Sequence, residues 1–100
     1  MRLAHLSTDP GIAYGGAKGA AVHLAELASA FAGEGAEVLL LVGGVDAGAR
    51  PPPAGVTVEV LPGPGKGAPA AERLGFASAL DEWLERRLRR FGADVLYERR

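Results

Sequence analysis

The sequence has 100 residues, the size of one small domain, since single cores typically hold roughly 100–150 residues. Hydrophobic residues make up 48%, enough to build a core and too many for a largely disordered chain. Lys+Arg 11 against Asp+Glu 12 gives a net charge of -1 and argues against a nucleic-acid partner; the lack of cysteine excludes a disulfide framework and a thiolate metal site.

The start, "MRLAHLSTDP", has too short an apolar run for a signal peptide, which needs roughly 7–15 apolar residues. No window approaches the ~20 apolar residues of a transmembrane segment. A cysteine-free chain with neither feature fits the cytoplasm. Arg2 to Leu6 is short and apolar and predicts a buried first strand. The turn residues "STDPG" follow it. A loop runs to about Lys18. From Gly19 the period becomes helical, with Ala20, Leu24, Leu27, Ala28 and Phe31 on one apolar face. Gly33 and Gly35 end that helix, Gly35 as its cap.

"AEVLLLVGG" is a continuous apolar run between glycines. Such runs suit strands buried on both faces of a parallel sheet. Residues 43–55 read as loop, stiffened by Pro51, Pro52 and Pro53. "VTVEVLP" predicts a third strand, whose Thr57 and Glu59 alternate with apolar neighbours and place it near an edge. "GPGKGAPA" is irregular. A long helix then runs from about Ala70 to Phe91, with a buried stripe of Leu74, Ala77, Leu80, Leu84, Leu88 and Phe91. Phe76 and Trp83 flank that stripe. Arg86, Arg87, Arg89 and Arg90 fall in the last turns, where the helix dipole favours positive charge. They are read as a solvated face shared with Glu82 and Glu85. Gly92 stops the helix and "ADVLYE" begins a fourth strand.

The order strand, helix, strand, strand, helix, strand predicts an α/β fold with an open, mostly parallel, Rossmann-like sheet. The connection between strands two and three is too long and Pro-rich for a tight hairpin, so a crossover without a helix is expected there. Ligands bind such sheets beyond the carboxyl ends of the strands. "STDPGIAYGGAKG" sits at that edge. A Rossmann-like half usually continues through further βα units, so the chain is expected to be the amino-terminal part of a longer protein.

The loop into the first helix carries Gly11, Gly15, Gly16, Lys18 and Gly19. Backbone amides at a helix start attract phosphate, and glycines let it come close. The same glycines also serve a tight turn, and spacing alone does not separate the two. The dinucleotide pattern G-x-G-x-x-G is absent, and Val42-Gly43-Gly44 stands where its acid belongs. The P-loop pattern fails because Ala17 stands where lysine is required.

One longer pattern spans the loop, the first helix and the second strand: Gly19, His23, Leu24, Leu27, Ala28, Phe31, Gly35, Glu37 and Val38. With "LAHLSTDPG" at the start and "ADVLYERR" at the end, it resembles the amino-terminal domain of the retaining GT-B glycosyltransferases, the glycogen-synthase and mannosyltransferase-like superfamily. The resemblance covers nearly the whole chain. It implies a two-domain enzyme in which this half binds the acceptor. The absent carboxy-terminal domain would hold the nucleotide-sugar donor and a pair of glutamates, so this chain alone would transfer nothing. It implies a nucleotide-sugar donor and a carbohydrate, lipid or small-molecule acceptor, no metal or other cofactor, and room for peripheral membrane contact. Under it, Gly15, Gly16, Lys18 and Gly19 approach the donor diphosphate. Two departures stand out. Lys18-Gly19 occupies the place of a glycine pair, and Ala36 stands where the group often has histidine.

Asp9, Tyr14, His23, Glu98 and Arg99 are the candidate acceptor or sugar contacts. Each except Tyr14 also has a plainer role. Asp9 suits an Asx turn before Pro10. His23 could bond the loop backbone, and Tyr14 could stack on a sugar. Glu98 and Arg99, read as following the fourth strand on the cleft side, could form a salt bridge. His5 reads as a packed core residue and Trp83 as packing. Catalytic residues are not identifiable. Beside the enzyme reading stand a Rossmann-like module that binds a phosphorylated ligand unaided, and an interaction fragment whose fourth strand pairs with another chain.

Overall fold

The connections in this chain are long enough for the crossovers that parallel strands require. The computed structural model describes residues 1–8, 12–17, 19–62 and 70–99, without the side chains of 70–78 and 99. The elements are β1 (Arg2–Ser7), α1 (Gly19–Gly33), β2 (Glu37–Val42), β3 (Val56–Val60), α2 (Ala70–Phe91) and β4 (Val95–Arg99). The strands form one sheet in the order β3-β2-β1-β4. All pairs are parallel, with His5 opposite Leu40 on one side and Tyr97 on the other. This is an α/β, Rossmann-like open sheet. β2 and β3 are parallel although no helix joins them, as the Pro-rich linker predicts.

The chain steps from β1 to β2 in one direction and from β3 back to β4 in the other. Right-handed crossovers in opposite directions place their helices on opposite faces of a sheet. The core divides accordingly. On one face Leu3, Val38, Leu40, Val42 and Val56 pack with Ala21, Leu24 and Ala28 of α1. On the other, Leu6, Leu39 and Leu41 pack with Trp83, Leu84, Leu88 and Phe91 of α2. β2 is buried on both faces, which is why its sequence is apolar without alternation.

The buried stripe of α1 is turned slightly from the predicted one. Ala21 lies in the core, Ala25 and Ala32 pack at its border, and Leu27 is only half-buried on the flank. Small side chains let the helix sit close to the sheet, so they occupy the contact line and the larger Leu27 is displaced from it. Gly35 ends α1 with a φ of 94°. Its N–H donates to the Ala32 carbonyl and the Ala36 N–H donates to the Phe31 carbonyl, the paired bonds of a Schellman motif.

The arginines of α2 do not all form a solvated face. Arg89 pairs with Glu85 at 2.6 Å, with both side chains mostly exposed. Arg87 instead turns inward and bonds Glu59 of β3 at 2.6 Å, its side chain 14% exposed. Sequence distance hides this pair, because only the crossover brings α2 beneath β3. Leu74 and Ala77 of the predicted α2 stripe, and Phe76 on its flank, lie outside the described side chains.

Candidate functional site

The direction of the chain reverses between β1 and β4. β1 leads away to β2, while its other neighbour, β4, arrives from β3. In open parallel sheets the crevice at such a reversal, beyond the carboxyl ends of the strands, is where ligands bind. Here that edge is formed by the end of β1, at Leu6 and Ser7, and the end of β4, with Glu98 opposite Leu6 and Arg99 opposite Ser7. A crossover helix runs back against the strands it connects. The first turn of α1, from Gly19, therefore starts at this same edge. That turn holds no acidic residue of its own to offset the positive end of the helix dipole.

The chain between β1 and α1 is tied to the β2–β3 connection. The Tyr14 N–H donates to the Gly44 carbonyl at 2.9 Å, and the Asp46 N–H donates to the Tyr14 carbonyl at 2.8 Å. Tyr14 is 8% exposed and belongs to the core beneath α1. Its ring is not presented to the edge for stacking on a sugar. Its backbone has become a short bridge to Val45, and the side chain goes into the core.

The glycines sit in three different environments. Gly15 has a φ of 83°, and a Cβ there would lie 2.4 Å from the Cβ of Ala49. Turn geometry and this close approach account for glycine at 15. The Gly16 N–H donates to the Ala13 carbonyl at 3.0 Å and closes the turn. A Cβ on Gly16 would lie 3.1 Å from that same oxygen. Among the described residues nothing lies within 4 Å of a Cβ built on Gly19. Of Gly15, Gly16 and Gly19, the last is the one that neither a close neighbour among the described residues nor a positive φ explains.

His23 is exposed on α1, one turn beyond Gly19 and off the buried stripe. Glu98 is exposed, and with Arg99 it lies inside β4 rather than after it. Neighbouring strand positions alternate between the faces of a sheet, so these two positions do not belong to one face. The Arg99 side chain, and all of Asp9 and Lys18, lie outside the described residues. His5 is in the core as expected, 1% exposed, with its ring edge-on to Tyr97 at 4.8 Å.

Sequence reasoning missed Ser7, grouped there with the turn residues. It closes β1, is 0% exposed, and its Oγ has no hydrogen-bond partner among the described residues. The signal was a hydroxyl at the carboxyl end of an otherwise apolar strand.

Among the described residues no group of three His, Asp or Glu side chains is placed to hold a metal ion. None of the described helices is long and apolar enough to cross a membrane. An open hollow lined by Leu88, Gly92, Asp94 and Leu96 lies at the opposite, amino edge of the sheet. Helix-start amides and an open glycine suit the carboxyl edge to binding an oxyanion. Comparison with protein-family models, curated proteins and solved structures gave no match.

Proposed function

We propose that this chain is the acceptor-side half of a nucleotide-sugar-dependent glycosyltransferase. The observation that carries the reading is Gly19, an open glycine at the start of α1, on the carboxyl edge beside the β1/β4 reversal. Backbone amides there can come close to the donor diphosphate, on which charge develops as the sugar leaves. Fixed donors aimed at developing charge are an effective form of catalysis. The resemblance of the sequence from Gly19 to Val38 to the retaining GT-B group turns an oxyanion site into a sugar-transfer reading. In this reading Lys18 adds charge to the diphosphate site. His23, Glu98 and Arg99 contact the acceptor or the sugar, and the structural roles of Tyr14 and Gly15 lie behind them. The donor and its paired glutamates belong to a second domain of the enzyme.

The test is transfer by the full product of the reading frame, supplied with a panel of nucleotide sugars and read as release of the nucleotide. Turnover of one donor, reduced in Lys18→Ala, supports the reading. No turnover with any donor removes it. A second reading draws on the two core clusters, which give this chain a hydrophobic core on each face of its sheet. In that case it is a module that binds a phosphorylated ligand without catalysis, and binding without turnover is its signature.

A further inference from the structure

We propose that the hydroxyl of Ser7 is a ligand-binding group, donating a hydrogen bond to an oxygen of the diphosphate held at the start of α1. The inference rests on the oxyanion site of the proposed function and adds a residue to it. Two independent observations meet here. The first is the α1 terminus, with no acidic residue in its first turn and open space at Gly19. The second is Ser7 itself, 0% exposed, with an Oγ that has no hydrogen-bond partner among the described residues. Buried hydroxyls in folded proteins are nearly always bonded, and one left unsatisfied points to a missing partner.

The fold puts the two together. Leu3 packs in the α1 cluster, and strand alternation places Ser7 on the same face, at the carboxyl end of the strand. That is the end at which α1 begins. Ser7 thus stands at the last position of β1, on the face of the sheet that carries α1 and at the edge where α1 begins. A hydroxyl can donate to a phosphate oxygen while the helix amides donate to its neighbours, and hydrogen bonds to charged groups are stronger than neutral ones. Ser7 is covered in this conformation, so binding includes a local rearrangement that lets an oxygen reach it.

The probe is inorganic pyrophosphate, titrated into isotope-labelled protein and followed at the backbone amides. The expected result is shifts at Ser7, Gly19, Ala20 and Ala21. Ser7→Ala should weaken pyrophosphate binding about tenfold, as expected for a hydrogen bond to a charged group. Its melting temperature should hold or rise, because an unsatisfied hydroxyl has been removed. Ser7→Cys, nearly the same size but a weaker donor, should lose affinity in the same direction. Unchanged affinity in both variants overturns the proposal. So does an absence of shifts at Ser7 and the first turn of α1. A lowered melting temperature with unchanged affinity makes the hydroxyl structural and also overturns it. The two readings fail separately. Sugar transfer with wild-type pyrophosphate affinity in Ser7→Ala removes Ser7 alone. Ser7-dependent pyrophosphate binding without transfer from any donor removes the glycosyltransferase reading and keeps Ser7.

Discussion

The Cβ that Gly15 lacks would lie 2.4 Å from the Cβ of Ala49 and 2.8 Å from its Cα. With a φ of 83° at Gly15, alanine there meets two penalties. A left-handed backbone costs a side chain about 1–2 kcal/mol, and forced overpacking costs about 1–3 kcal/mol. Gly15→Ala should therefore lose roughly 2–5 kcal/mol in urea denaturation. A loss under about 0.5 kcal/mol, the usual range for an uninvolved surface site, would show that the two loops are not packed together.

Arg87 and Glu59 join α2 to the outer strand β3 through a 2.6 Å contact, with side chains 14% and 35% exposed. Arg89 and Glu85 make an equally short contact with side chains 78% and 63% exposed. Distance is equal, so solvent decides. A double-mutant cycle with alanine should give a coupling near 1 kcal/mol for the first pair, the upper end for partly exposed pairs. The second should give at most about 0.5 kcal/mol. Raising salt should erase the second before the first. Equal couplings would mean that Arg87 is as solvated as Arg89.

Much of the architecture was legible because each strand carried its own signal. The unbroken apolar run at β2 gave a strand buried on both faces, and the alternation at Thr57 and Glu59 gave the edge strand β3. Gly35 marked the end of α1. What stayed hidden depends on contacts across the chain. Arg87 looks like any surface arginine until the crossover sets it beneath Glu59. Tyr14 looks like a loop aromatic until its backbone bonds to Gly44 and Asp46 draw it into the core. The glycine loop was legible as a cluster and not as separate roles. Ala49, far along the sequence, is what distinguishes Gly15 from Gly19.

The rotation of the α1 stripe is open to measurement. Leu24 is 0% exposed at its centre, and Leu27 is half-buried on its flank. Leu24→Ala should cost about 2–5 kcal/mol, the range for a buried leucine. Leu27→Ala removes much less buried surface and should cost about 1 kcal/mol. Similar losses at both sites would restore the stripe expected from the larger side chains.

Gly19 separates a turn residue from a ligand-facing one. Among the described residues no neighbour lies within 4 Å of a Cβ built there, and its φ is not in the left-handed region. Alanine at 19 should therefore leave stability unchanged or raise it by up to about 1 kcal/mol through helix propensity. Valine adds bulk at the mouth of the helix start, and its Cβ meets none of the described residues within 4 Å. Gly19→Val should keep a melting temperature close to wild type. Transfer by the full product of the reading frame should fall at least tenfold, because the diphosphate can no longer approach the first amides of α1; loss of a single oxyanion donor elsewhere costs about 10²–10³ in rate. The informative result is this divergence between stability and activity. Stability and transfer falling together would make Gly19 a packing residue. If both are retained, the diphosphate lies elsewhere and the reading of the glycine loop fails at the residue that carries it.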